Sequence, residues 1–390
     1  MPVAPNPCRG LHTEFPRRLD AVIDGALAAD RIAGVVLLAS VDGSTVYRRA
    51  AGFIDREAGL PMREDTIFRL ASVSKLVVAT TVLVLVAQGR LALDDLVETA
   101  LPAFRPRLAD GSDAPMTIRQ LLTHTAGLSY GFLEPEGGPY HQAGISDGMD
   151  RAGITLDENL RRLASVPLLW APGTAWNYSL SFDVLGAVIE KVSGRKLPDA
   201  VRSLVAEPLG WRDTGFAVTD AARLAVAYAD GALRPRRMGD VDRVPTFEGL
   251  APAAMDPGRA FDADAYPSGG AGMAGTAGEI LGLLEALRQG GEPILPNALA
   301  AEMGRDHTGG MPVTGWPGWG YGLGFSVLLD PETAGTRESP GTWRWGGAYG
   351  HSWFVDPMVK LSVVAFTNTA LEGMSGGGRF PQDLCRAIYR

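Results

Sequence analysis

The chain has 390 residues, of which 46% are apolar and 21% charged, a composition that excludes a mainly disordered polypeptide and leaves ample length for a sizeable core. Lys and Arg number 36 against 44 Asp and Glu, and the resulting charge of −8 argues against a nucleic-acid partner, which needs a basic field. Two cysteines, Cys8 and Cys385, give no disulfide framework, and histidines as scattered as His12, His124, His141, His307 and His351 give no zinc spacing.

The segment MPVAPNPCRG has neither the basic start and apolar core of an export signal nor its cleavage site, so a cytoplasmic protein is expected. Phe15, Leu19, Val22, Ile23, Ala26 and Leu27 follow helical spacing and predict an amphipathic first helix. Two strand-like runs follow, VVLLASV and STVYRRAAGF, with Asp42-Gly43 between them as a hairpin turn. A second helix is predicted from about Ser72 to Gln88. Its apolar stretch, Leu76 to Ala87, is too apolar to lie exposed. It is also shorter than the roughly 20 residues that span a membrane, so no membrane partner is expected. From Leu91 to Arg243 the pattern is short helical stretches and loops punctuated by Pro and Gly, and Arg234, Arg236 and Arg237 read as a solvated loop. A glycine-rich segment after Tyr266 leads into EILGLLEALRQ, a helix that Thr276 caps, with Glu279 reaching back as in a capping box. The tail returns to strands, YGLGFSVLLD, GTWRWGG, HSWFVDP and LSVVAFTNT, and closes on a helix from about Pro381 to Arg390. The predicted fold is α+β: an antiparallel sheet flanked by helices, built from residues 1–90 and 250–390, with a mainly helical inserted domain over 91–249.

Three serines sit in catalytic-looking contexts. Ser129 and Ser146 each lie in a GxSxG pentapeptide, but a nucleophile elbow needs a strand before the serine and a helix after it, and neither has them. Ser72 opens an S-x-x-K motif with Lys75 at the start of the apolar helix. Residues three apart share a helix face, so Lys75 can reach the Ser72 hydroxyl, and a burial-lowered pKa would let its amine act as a base. The alternative is a helix-capping serine beside a surface lysine. Downstream, Tyr178 lies in a loop just before a helix, where a neighbouring ammonium could lower its pKa and make it a base or relay; otherwise it is a half-buried aromatic. Trp345-Gly346-Gly347-Ala348 lies on a strand whose glycines would let a substrate approach the backbone, and an N–H there could pair with that of Ser72 as an oxyanion hole. The segment Gly270 to Gly275 matches G-x-G-x-x-G, but without a preceding buried strand it reads as a tight loop near the cleft, not a dinucleotide site.

Taken in order, FRLASVSK, LLTHTAGL, YSLSFDVLG, SGGAGM and WGGAYGHSWFVDP resemble the serine β-lactamase and penicillin-binding-protein superfamily, and most closely its esterases, the family VIII carboxylesterases. The resemblance implies a serine esterase without cofactor that hydrolyses short-chain, small-molecule acyl esters. Ser72 would be the nucleophile, Lys75 and Tyr178 the proton-shuttling pair, and Ser72 with Ala348 the oxyanion hole. Where β-lactamases carry Tyr-x-Asn this chain has Leu180 in place of the amide, and where they carry Lys-Thr-Gly it has Trp345-Gly346-Gly347 in place of the cation. Both departures imply a neutral, apolar ester and little β-lactamase activity. Tyr130 and Leu180 are candidates to bind substrate, with Trp353 and Phe132 as further apolar wall. On this reading His351 is not needed as a triad histidine, and His124 holds the LLTHTAGL turn. The competing readings are an acyltransferase on the same scaffold and a penicillin-binding-type sensor that acylates once without turnover.

Overall fold

The apolar segments at the two ends of the chain pair with one another. A computed structural model describes residues 15–389; the segment MPVAPNPCRG, with Cys8, and His12 lie outside the described residues. Helix α1 (Phe15–Ala28) leads into strands β1 (Gly34–Val41) and β2 (Ser44–Asp55). The turn between the strands has Asp42 at φ 51° and Gly43 at φ 84°, the left-handed pair that a two-residue hairpin requires. Strands β3 (Leu60–Pro61) and β4 (Ile67–Arg69) precede a 3-10 turn, Ala71–Val73, and helix α2 (Ser74–Ala87). Six helices follow: α3 (Val97–Ala100), α4 (Ile118–Leu122), α5 (Pro139–Gln142), α6 (Leu156–Ser165), α7 (Ser181–Ser193) and α8 (Leu197–Val201).

Two small ribbons come next, β5 (Tyr228–Ala229) with β6 (Arg236–Arg237), and β7 (Asp242–Val244) with β8 (Ala253–Met255). Strand β9 (Ala274–Thr276) pairs with β4 and leads into α9 (Ala277–Arg288) and α10 (Asn297–Met303). Strands β10 (Trp319–Tyr321), β11 (Ser326–Leu328), β12 (Trp343–Gly347), β13 (His351–Asp356) and β14 (Leu361–Thr367) and helix α11 (Arg379–Ile388) complete the chain.

The main sheet has eight antiparallel strands in the order β10-β11-β12-β13-β14-β1-β2-β3, with Leu37 of β1 opposite Ala365 of β14. This bears out the antiparallel α+β expectation. Strand β1 is buried from Gly34 to Ser40 because both sheet faces are covered. Alternation sends Val36 and Leu38 into the inner core with α2, and Val35, Leu37 and Ala39 into an outer core with Phe15 and Leu19 of α1 and Phe380 and Leu384 of α11. Helix α2 is apolar all round and is correspondingly enclosed from Ser74 to Leu85, packing against α7. Among the described residues no helix is long and apolar enough to cross a membrane.

Three local expectations change. YGLGFSVLLD is two strands, β10 and β11, because Gly324 at φ 105° turns the chain and the Gly322 N–H closes on the Phe325 carbonyl at 2.8 Å. Arg236 and Arg237 form a short strand rather than a loop, held by ion pairs to Asp242 and Asp55. Thr276 does cap α9, accepting the Glu279 N–H at 3.3 Å, but Glu279 turns its carboxylate to the N–H groups of Arg212 and Asp213 instead of closing a box. A reciprocal capping box forms at α4, between Thr117 and Gln120.

Candidate active site

The turn that carries Ser72 is set by its backbone. Ala71 sits at φ 43°, a left-handed conformation that costs a non-glycine residue about 1 kcal/mol. It is held there by bonds on either side, Leu70 N–H to the Met273 carbonyl at 2.8 Å and Val73 N–H to the Leu70 carbonyl at 3.1 Å. The turn leaves Ser72 half-buried at the entrance to α2 while Lys75, one helical turn on, is fully enclosed. The Lys75 Nζ donates to Ser72 Oγ at 3.1 Å and to the Gly270 carbonyl at 2.8 Å. Tyr178, from the loop ahead of α7, brings its hydroxyl to 2.5 Å from Ser72 Oγ. Three groups named from the sequence thus meet in one hydrogen-bonded cluster.

Burial decides the protonation of this cluster. Loss of solvent lowers the Lys75 ammonium from 10.5 to about 7, with the nearby Asp183 carboxylate pulling the other way. The Nζ also faces the rings of Tyr178 at 4.7 Å and Tyr130 at 5.4 Å. The neighbouring ammonium does not lower Tyr178 as envisaged: burial pushes that hydroxyl well above its ordinary value, against the smaller opposing effect of its bond with Ser72. Near neutral pH the site therefore holds a phenol and a lysine divided between amine and ammonium. The amine is the group able to take a proton.

Strand β12 closes the other side. The Trp345 ring lies 5.4 Å from that of Tyr178, and Tyr130 lies 4.9 Å from Tyr178 while stacking on Phe132 at 4.7 Å. Trp316, which the sequence did not single out, packs on Trp345 at 5.6 Å. The two glycines of β12 are required by chain packing. A Cβ on Gly346 would lie 2.3 Å from the His351 carbonyl oxygen, and one on Gly347 would lie 2.3 Å from that of Leu70. Gly347 is thereby what lets the end of β12 lie on the Ser72 turn. The next residue, Ala348, is half-buried, and among the described residues its N–H meets no backbone acceptor.

Other expected residues are placed elsewhere. Leu180 is 1% exposed and packed in the inner core, its N–H given to the Ser129 carbonyl at 3.1 Å, so it offers no open surface to a ligand. Trp353 is likewise enclosed, its ring 5.6 Å from Phe325. His351 ties its Nε2 to the Arg69 carbonyl at 2.7 Å and supports the turn from behind. His124 bonds Ser179 Oγ at 3.1 Å and sets its ring edge-on to Tyr178 at 4.9 Å, so it braces the tyrosine loop. Ser129 and Ser146 are buried, and Ser146 gives its hydroxyl to the Asp150 carboxylate. The G-x-G-x-x-G segment is at the site itself, since Gly270 receives Lys75. The charged residue that sequence reasoning passed over is Asp183. It is 1% exposed in the first turn of α7, and a lone carboxylate within SFDVLGAVI was the signal.

With that geometry in view, comparison with known proteins is decisive. Residues 19–387 match the beta-lactamase family. The chain belongs to the beta-lactamase family. Within it, the chain is 55% identical over 360 residues to Esterase EstB of Burkholderia gladioli, covering 92% of each chain. Among solved structures, EstCE1, described as a hydrolase with promiscuous acyltransferase activity, superposes with a TM-score of 0.93 at 47% identity, over 97% of this chain and 99% of that one. The simvastatin synthase LovD of Aspergillus terreus shares the fold, with a TM-score of 0.77 at 24% identity over 97% of this chain and 98% of that one. The family resemblance drawn from the motifs is borne out over nearly the whole chain.

Proposed function

We propose that this beta-lactamase-family protein is a serine carboxylesterase that hydrolyses short-chain acyl esters through an acyl-enzyme on Ser72. The observation that carries the reading is the cluster in which Ser72 Oγ meets both Tyr178, at 2.5 Å, and a buried Lys75 amine, at 3.1 Å. Lys75, lowered to about 7 by burial, is the base that draws the proton from Ser72, directly or through the Tyr178 hydroxyl. Ser72 Oγ adds to the ester carbonyl, and the N–H groups of Ser72 and Ala348 take the developing oxyanion. The alcohol leaves with a proton returned through Tyr178. Water then adds to the acyl-enzyme along the same route and releases the acid. The esterase named in the Burkholderia gladioli relative supports this reading. Trp345 gives the site an aromatic flank suited to a neutral ester, and Tyr130, buried and stacked on Phe132, backs Tyr178 from within. With Trp345 where a β-lactamase has its cation, penicillin turnover is expected to lie far below ester turnover.

The test is hydrolysis of p-nitrophenyl butyrate by wild type and Ser72→Ala, matched for folding. Steady release by wild type with more than a thousandfold loss in Ser72→Ala is expected; retained activity in the variant would overturn the assignment. A stoichiometric burst without steady state would instead mark a sensor. A second reading, acyl transfer to an alcohol, is favoured by the aromatic enclosure of Tyr178 and by the activity named for EstCE1. Added butanol that diverts the acyl group to butyl ester in preference to acid would establish it.

A further inference from the structure

We propose that Asp183 is the positioning residue of the Lys75 amine: it clamps the 268–272 loop so that the Gly270 carbonyl holds Lys75 against Ser72, and its charge sets the balance between amine and ammonium. The proposal rests on the reading of Ser72 and Lys75 given above.

Both oxygens of this buried carboxylate are occupied. Oδ1 accepts the Ser268 hydroxyl at 2.7 Å and the Gly270 N–H at 2.9 Å, and Oδ2 accepts the Tyr266 hydroxyl at 3.2 Å. Gly270 is thus held by Asp183 through its N–H and by Lys75 through its carbonyl, at 2.8 Å. The approach is close: a Cβ on Gly270 would lie 3.1 Å from the Tyr130 hydroxyl, 3.3 Å from Lys75 Nζ and 3.4 Å from Asp183 Oδ1. Three polar atoms from three segments converge on one α-carbon. Among the described residues no hydrogen bond joins Asp183 to Lys75, so the link runs through Gly270 and through the field of the charge.

Every element packed around the pair adds a group to that field. The hydroxyls of Tyr130, Tyr178 and Tyr266 and the carboxyl of Asp147 face Asp183, and each is pushed up by burial. The cations that face it are Lys75 and Arg259. Arg259 is engaged elsewhere, with the Asp150 carbonyl at 2.6 Å and with its Cζ 4.8 Å from the Tyr266 ring. His124 faces Lys75 but is held neutral by burial. Burial pushes the Asp183 carboxyl above its ordinary value, and the Ser268 hydroxyl, the Gly270 N–H and the charges of Lys75 and Arg259 oppose that push in favour of the anion. In its ionised form Asp183 favours the Lys75 ammonium in an apolar surround. Its place in the first turn of α7 adds the favourable partial charge of a helix N-terminus.

A role in loop structure and a role in charge separate cleanly. The amide oxygen of Asn can accept the same Ser268 and Gly270 donors, so Asp183→Asn keeps the hold on the loop; it loses the anion and the Oδ2 acceptor of the Tyr266 hydroxyl, which retains Ser146 Oγ at 3.3 Å. The experiment is the pH profile of kcat/KM on p-nitrophenyl butyrate for wild type, Asp183→Asn, Asp183→Ser, Asp183→Glu and Ser72→Ala. In wild type the acid limb follows protonation of Lys75. Losing the anion favours the neutral amine, so the limb in Asp183→Asn moves to lower pH by about one pH unit. One pH unit below the wild-type midpoint, the variant then keeps about fivefold more of its own plateau activity than wild type keeps of its own. Asp183→Glu, which retains charge, keeps the limb near the wild-type position even if its plateau falls. A limb unmoved in folded Asp183→Asn overturns the proposal, because a purely structural residue would change the plateau alone. Asp183→Ser carries the same test if the Asn variant does not fold. Should neither neutral variant fold while Asp183→Glu does, Asp183 acts in folding and the proposal is likewise overturned. Activity retained in Ser72→Ala would defeat the functional reading itself, a different outcome from an unmoved limb.

Discussion

Replacing Lys75 by Met is expected to abolish turnover and to stabilise the fold near neutral pH. Met fills similar space without a charge. Burial takes the Lys75 ammonium from 10.5 to about 7, so the folded chain forgoes a proton that the unfolded chain holds. At pH 7 that difference costs about 4 kcal/mol. Methionine removes the cost but leaves the buried Gly270 carbonyl without its donor, a loss of about 1–3 kcal/mol. The net gain is about 2 kcal/mol, which for a chain of 390 residues is a rise in Tm of roughly 2 to 3 °C. The sign depends on pH. A lysine depressed in the folded state penalises folding fully below about 7, and the penalty fades as pH rises, vanishing only above 10.5, where both states are neutral. At pH 10 the penalty has shrunk to about 1 kcal/mol, no more than the cost of the orphaned carbonyl, so Lys75→Met has lost its advantage. Calorimetric unfolding of wild type and variant at pH 7 and 10, with ester hydrolysis measured alongside, makes the test. A variant less stable than wild type at pH 7, or a Tm difference that ignores pH, would show that the Lys75 amine is not the desolvated group inferred here.

The pentapeptide serines separate from the nucleophile in the same assay. Ser129→Ala and Ser146→Ala should keep most ester turnover, and Ser146→Ala should lose about 1–2 kcal/mol of stability because Asp150 loses a buried donor. A hundredfold fall in turnover for either variant would return that serine as a candidate. His351 supplies a pH test of the fold. Burial lowers it from 6.5 to about 4, so its neutral form is required in the folded state; stability is complete above pH 6.5 and falls as pH drops toward 4. The neutral His351→Gln, whose amide can still donate to the Arg69 carbonyl, should escape about 3 kcal/mol of that loss. Equal falls in Tm for both proteins between pH 6.5 and 4 would exclude His351 as the titrating group.

Much of the site was legible because its chemistry is local. Ser72 and Lys75 are three residues apart on a helical turn, and that geometry travels with the sequence. The Asp42-Gly43 hairpin, the apolar run of α2 and the strand-like segments of the tail are likewise dictated by neighbours along the chain. Tyr178 could be named as a candidate from the segment YSLSFDVLG, but its 2.5 Å approach to Ser72 could not, since it joins a loop before α7 to a turn before α2.

What the tertiary structure alone decided concerns enclosure and partners far apart in sequence. Leu180 and Trp353 read as ligand-facing aromatics and aliphatics do, yet both are enclosed in the inner core. Gly346 and Gly347 were read for substrate access, and the fold adds a reason that no local pattern carries: a Cβ on either would meet the His351 or the Leu70 carbonyl. Glu279 left its expected capping box for two N–H groups of a segment more than sixty residues away. Asp183 is one carboxylate in an apolar helix until Ser268, Gly270 and Tyr266 close over it. The protonation states follow the same rule. Residue identity supplies a lysine and a tyrosine, but the loss of solvent that lowers the one and raises the other is a property of the whole packed molecule.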